Sequence, residues 1–205
     1  MCGRFEGRVD PTRLSYRYGI DGEVIVYDFP LEYAPTMMAP VVISAAAGME
    51  LCLMKWGFLP RWAKDAKDAV KCFNARAETV REKPAFREAV MKRRCLVPVT
   101  SYFEWKAEEG EKRKTKYRFR VPKEEIFSLA GIWTPWTSPS GLTLLSFTIL
   151  TTRPNELATQ YHHRMPLILP REREMDWLRE EGDFASLLET EPFSAQEMDV
   201  EKVFV

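Results

Sequence analysis

The sequence predicts an α+β fold: a single domain over residues 1–205, with a mainly antiparallel curved sheet or barrel-like core and flanking helices. Three observations carry this. Short runs rich in β-branched and aromatic residues recur between tight turn signals. The helical patterns between them are few and short. No composition break, internal repeat or low-complexity tract divides the 205 residues, which suffice for one sizeable core.

In chain order, Pro11 to Tyr18 predicts a helix capped by Asp10. Val24 to Phe29 is strand-like, and Ala34 to Pro40, with two prolines, predicts an irregular loop. Leu51 to Phe58 predicts a strand stopped by Gly57 and Pro60. Pro84 to Arg94 predicts a helix with proline near its first turn and basic residues in its last. Leu96 to Trp105, Lys116 to Val121, Ile126 to Trp133 and Leu142 to Leu150 predict strands. Thr152 to Gln160 predicts a short helix with Pro154 at its start. Pro170 to Glu180 predicts an amphipathic helix built on Met175, Trp177 and Leu178.

Composition narrows the function classes. Hydrophobic residues make up 45% and charged residues 29%, as in a folded soluble protein. No apolar stretch is long enough to span a bilayer, and no signal peptide is expected at an N-terminus that runs into Arg4, Glu6 and Arg8. Net charge is zero, so any nucleic-acid binding needs a local basic groove. The cysteines at positions 2, 52, 72 and 95 form no C-x-x-C pair, and the two histidines are adjacent. Neither a metal, a cofactor nor a disulfide framework is indicated, and a reduced, cytoplasmic setting is the default.

The most informative position is the second. Removal of Met1 is expected before a residue as small as cysteine, and would leave Cys2 with a free α-amine beside its thiol. Reference pKa values of about 7.7–8.0 and about 8.5 leave both partly deprotonated near neutrality. Such a pair condenses with an aldehyde to an imine and closes a five-membered thiazolidine; it could also serve as an N-terminal nucleophile with its own base. A cysteine there by chance is the plain alternative.

Three further segments carry chemistry. His162, in Tyr-His-His-Arg-Met-Pro, suits proton transfer near neutral pH, or a hydrogen-bonded place at a strand start. Glu104 lies in the apolar run Ser-Tyr-Phe-Glu-Trp, where alternation puts it on one face with Tyr102 and makes a raised pKa plausible; a solvent-facing place is the alternative. In Cys72 to Thr79, Asn74, Arg76 and Glu78 alternate, so an extended segment aims all three one way. The basic run Lys112, Arg113, Lys114, Lys116, Arg118 and Arg120 follows acidic residues and reads as a solvated hairpin.

Taken together, Met-Cys-Gly-Arg-Phe, Asn-Ala-Arg-Ala-Glu-Thr, Phe-Glu-Trp and His-His-Arg-Met-Pro resemble the SRAP family, the SOS-response-associated peptidases. Trp56 to Trp62 and Lys83 to Ala89 extend the match. The resemblance implies a DNA-damage protein that binds single-stranded DNA at abasic sites and forms a covalent thiazolidine cross-link through Cys2. It implies Cys2, Asn74, Glu104 and His162 as catalytic residues. Arg4, Arg76 and Arg164 are implied phosphate contacts, and Trp56, Trp62 and Trp105 could stack on bases, with core packing the alternative for each. His163 departs from the aspartate that many members carry. A thiol peptidase that processes its own N-terminus is the alternative function, and a non-enzymatic DNA binder is a third. No membrane partner is implied, a monomer is the default, and nucleoid association follows if the source is bacterial.

Overall fold

In the computed structural model, the residues described are 2–7, 10–20, 30–66, 69, 72–179 and 182–204. The first half of the chain contains β1 (Phe5–Glu6), α1 (Pro11–Tyr18), β2 (Glu32–Tyr33), β3 (Met38–Ala45), β4 (Gly48–Trp56) and β5 (Asn74–Arg76). It continues through α2 (Arg87–Lys92), β6 (Arg94–Val99), β7 (Ser101–Lys106) and β8 (Thr115–Arg120). The remainder comprises β9 (Phe127–Thr137), β10 (Thr143–Thr152), β11 (Met165–Pro166), β12 (Ile168–Leu169), α3 (Glu174–Leu178), α4 (Phe184–Glu189) and β13 (Asp199–Lys202).

Five strands close on themselves. β4, β3, β6, β9 and β10 pair antiparallel in that order. A short parallel pairing of β10 with β4, Ser146 opposite Lys55 and Phe147 opposite Trp56, completes the ring. Closure removes the free edges that an open sheet would expose. Gly57 ends β4 at φ 135°, where an added Cβ would lie 2.5 Å from the Ala69 carbonyl oxygen, so only glycine fits.

A second sheet runs β13-β8-β7-β1-β2. It joins the barrel through aromatic packing: Phe5 lies 4.9 Å ring to ring from both Tyr33 and Trp56, and Trp56 stacks on Phe147. One continuous buried cluster contains residues of both sheets. Large aromatic side chains make this seam the main apolar contact between the layers.

The predicted α+β class with a barrel-like core is the observed one. Helix α1 occupies the predicted residues; the Asp10 carboxylate accepts from Thr12 N–H at 2.7 Å, and Gly19 ends the helix at φ 60°. Several expectations change. Val24 to Phe29 lies outside the described residues, as does the final residue of Pro170 to Glu180. The Ala34 to Pro40 loop is shorter than predicted because β3 starts at Met38 and contains Pro40. Proline is tolerated there because β6 pairs with β3 at Val42 alone, so no ladder bond needs the missing N–H. The run Leu96 to Trp105 is two strands broken at Thr100, one in each sheet. The helix predicted over Thr152 to Gln160 contracts to a 3-10 turn at Ala158–Gln160, whose Ala158 N–H is held by the Asn155 side chain at 2.8 Å. The helix over Pro84 to Arg94 shrinks to α2, and Arg94 opens β6 instead.

Candidate active site

The break at Thr100 matters to the site, because it carries β7 out of the barrel and alongside the N-terminal segment. Phe5 pairs with Tyr102 and Glu6 with Ser101. One step earlier, the Arg4 carbonyl accepts from Phe103 N–H at 3.0 Å and from the Cys2 thiol at 3.7 Å. Arg4 is therefore level with Phe103, and Cys2, hydrogen-bonded to it, is fully buried. Its own carbonyl accepts from the Asn74 side-chain amide at 2.8 Å. Burial first, and the Glu104 carboxylate second, push the Cys2 thiol far above the ordinary cysteine range, so it is protonated at neutral pH.

Asn74 reaches this place through the barrel. β5 lies parallel against β10, with Asn74 opposite Ile149 and Arg76 opposite Thr151. β11 flanks the same end of β10, Thr152 opposite Met165, which brings in the segment carrying His162. Arg164 ties these pieces together: its guanidinium donates to both Glu78 oxygens at 2.6 and 2.8 Å and to Thr151.

Glu104 sits on β7 at 5% exposure. Burial raises its pKa to about 7, against the opposing pull of the positive chain terminus and of Lys114. A carboxyl so placed gives up and recovers a proton near neutral pH. His162 behaves in the opposite way. Burial, then the charge of the chain terminus, lowers its pKa to about 4, so the ring is neutral at pH 7. Its Nδ1 faces the Arg164 backbone, 3.0 Å from the N–H and 3.2 Å from the carbonyl oxygen, so the main chain of Arg164 fixes the ring. His163 stacks on His162 with ring centroids 4.2 Å apart.

Cys2 is thus tied to Asn74 by a hydrogen bond and to Glu104 by electrostatics, while the charges of the chain terminus and of Lys114 act on both Glu104 and His162. The expected DNA contacts divide. Arg4 is half-exposed, 3.6 Å from Glu32, and Arg76 is exposed. Arg164 is largely buried and committed to Glu78, so in this conformation it holds the site rather than offering a free guanidinium. Trp56 is fully buried and donates its indole N–H to the Phe73 carbonyl at 2.8 Å; it has no face for a base, and core packing is what it does. Trp62 is 63% exposed, while Trp105 is half-buried with the Lys116 ammonium 5.6 Å from its ring. The basic run is partly absorbed into ion pairs, Lys116 with Glu32 and Arg118 and Arg120 with Glu201. Its Lys114 is different: the charge acts on both Glu104 and His162. Sequence reasoning missed that, since only the return of β8 against β7 brings the hairpin back to the site. Among the described residues, no group of three His, Cys, Asp or Glu side chains gathers as a metal site would, and no helix is long and apolar enough to cross a membrane.

Comparison with known proteins gives a consistent answer. The chain is 35% identical over 207 residues to the abasic site processing protein YoqW of Bacillus subtilis (strain 168), covering 99% of this chain and 92% of the relative. It is 27% identical over 177 residues to the abasic site processing protein HMCES of Xenopus tropicalis, covering 73% of this chain and 53% of the relative. Among solved structures, a protein from Bacteroides thetaiotaomicron superposes with a TM-score of 0.87 at 34% identity, covering 99% of this chain and 92% of that one. A family profile described as SOS response associated peptidase matches residues 1–204. With that span matched, and with relatives of this identity, the chain belongs to the SRAP family.

Proposed function

We propose that this protein captures abasic sites in single-stranded DNA, forming a covalent thiazolidine through Cys2 once Met1 has been removed. One observation carries the reading above the others. The residue that would become the amino terminus is buried beside a carboxyl with a pKa of about 7, with its carbonyl held by Asn74 and with a neutral imidazole in the same field. Relatives named abasic site processing proteins support the choice of substrate.

The ring-opened abasic sugar is an aldehyde. The Cys2 amine attacks C1′ and forms a carbinolamine; loss of one water leaves an imine. The Cys2 sulfur then bonds to the same carbon, and the thiol proton passes to the nitrogen, closing the thiazolidine. Glu104 supplies the proton that turns the C1′ hydroxyl into leaving water. The neutral His162 ring can pass a proton in the same field and carries no competing positive charge. Asn74 fixes the Cys2 backbone, so that amine and thiol reach one carbon in turn. Arg4, Arg76 and the exposed Trp62 are the DNA contacts this reading favours.

The thiol peptidase reading fits the environment less well. A peptidase cysteine attacks as a thiolate, and burial here disfavours that form. The deciding experiment incubates the purified protein with single-stranded DNA with and without an abasic site. An adduct that survives denaturation is expected with the abasic strand alone, and none from Cys2→Ala or from a protein with residues retained ahead of Cys2. Equal cross-linking by Cys2→Ala would remove the thiazolidine reading.

A further inference from the structure

Tyr102 lies between the apolar seam and the reactive end of the chain. Its ring stacks on Phe119, centroids 4.8 Å apart at 10°, and the residue is fully buried. Its hydroxyl is also buried and has no hydrogen-bond partner among the described residues. Two other tyrosines have partners for theirs. Tyr18, at 7% exposure, bonds Ser128 at 2.9 Å, and the Tyr117 hydroxyl donates to Glu108 at 2.6 Å. A buried hydroxyl left unpaired costs stability, so it asks for a use.

Its position supplies one. Tyr102 and Glu104 are two residues apart on β7 and share a face. Between them, the Phe103 N–H binds the Arg4 carbonyl that also takes the Cys2 thiol. The charges of Cys2 and Glu104 both act on the phenol and, after burial as the largest cause, hold its proton well above the usual tyrosine range. The group is therefore a fixed donor throughout the pH range in which the amine reacts. Tyr33 also has an unpartnered hydroxyl, but it lies on β2, across β1 from β7, and burial is the one cause of its raised pKa.

We propose that the Tyr102 hydroxyl is a further catalytic group, donating a hydrogen bond to the oxygen on C1′ of the abasic sugar as the Cys2 amine attacks. The assignment rests on reading the site as an aldehyde trap. In the step, the amine nitrogen bonds to C1′ and the carbonyl electron pair moves onto oxygen, where Tyr102 meets the developing charge. The proton that the attacking nitrogen gives up turns this oxygen into a hydroxyl, and Glu104 delivers the second proton that makes it a leaving water; the phenol keeps its own proton throughout. A donor already in place when charge appears needs no reorganisation.

The test is Tyr102→Phe, which keeps the ring and its stack and removes one oxygen. Cross-linking to abasic single-stranded DNA should slow about 100-fold, the usual effect of losing one such donor. Binding to a strand carrying a tetrahydrofuran analogue, which has no aldehyde, should be unchanged, and the melting midpoint should not fall. 3-Fluorotyrosine at position 102, which keeps the donor and its packing, should retain the rate. Wild-type rates from Tyr102→Phe would overturn the assignment. So would a slowed rate accompanied by a lowered melting point and weaker analogue binding, because that pattern marks a structural role. Absence of any adduct with the wild-type protein would overturn the aldehyde-trap reading first, and this assignment with it.

Discussion

Two regions of this molecule bury polar side chains, and they treat them in opposite ways. On the α1–β9–α3 side, Glu174 accepts from Arg17 at 2.7 and 3.0 Å and from Ser128 at 2.6 Å. Nearby, Arg94 donates to four backbone carbonyls: Val90 and Met91 of α2, Trp177 of α3, and Arg179 just beyond it. These groups spend their hydrogen-bonding capacity inside the fold. Beside Cys2, by contrast, the Tyr102 hydroxyl and the Asn74 side-chain oxygen are buried without a partner among the described residues. Glu104 there holds its proton up to about pH 7. The matched charges serve the fold, and the unmatched donor and acceptor beside Cys2 are the groups the proposed chemistry would use.

The comparison can be broken or sharpened by substitution. The largest effect should come from Glu104→Gln, which keeps shape and burial but removes the titrating proton. Cross-linking should fall about 10²–10⁴-fold, and the decline in rate above pH 7, expected of the wild type as Glu104 ionises, should disappear. Rate measurements from pH 5 to 9 check this. Stability follows a sign that can be worked out. Glu104 holds its proton to about pH 7 when folded, against 4.5 ordinarily, so its contribution is present below pH 4.5 and is lost as pH rises to 7. His162 has its pKa lowered from 6.5 to about 4, so its contribution is present above pH 6.5 and is lost as pH falls to 4. The two oppose each other over most of one window. Denaturant unfolding of Glu104→Gln should therefore gain stability with rising pH between about 4 and 6.5 more steeply than the wild type.

Next in size is Glu174→Ala, which strands Arg17 in a largely buried place. A loss of about 3–5 kcal/mol is expected on breaking such a pair, read as a lower denaturation midpoint. The fraction that stays folded should cross-link normally, because Glu174 belongs to the matched region. Loss of chemistry in folded Glu174→Ala would dissolve the distinction between the regions. The smallest effect should come from Trp62→Ala. At 63% exposure the residue contributes little to the fold, so the melting point should hold while affinity for single-stranded DNA weakens by about 1–3 kcal/mol, the worth of one stacked base. Titration with a fluorescent strand measures it.

Much of this was legible in the sequence, for physical reasons. Period-two patterning and the Asp10 cap located strands and α1, since each depends on local chemistry alone. The break at Thr100 was read through: strand-forming residues lie on both sides of the polar pair Thr100-Ser101, and only the packing of two sheets decides where the chain leaves one for the other. The same gap explains the site. Glu104 stood out as a carboxyl in an apolar run, but Tyr102 looked like one more aromatic, because an unspent hydroxyl is visible only once every neighbour is in place. Trp56 and Trp62 looked alike as residues and differ entirely in burial. Arg164 read as a phosphate ligand, and its commitment to Glu78 depends on β5 and β11 meeting on β10.

The central claim is that the reactive group is residue 2 as an amino terminus, with its thiol and amine acting on one carbon. Intact mass spectrometry after incubation with an abasic single strand, under denaturing conditions and without reductant, tests it most directly. The expected species is the chain lacking Met1 plus the DNA strand less one water, with the modified peptide mapping to Cys2. A chain lacking Met1 that stays unmodified, or an adduct mapping to any other residue, would contradict it.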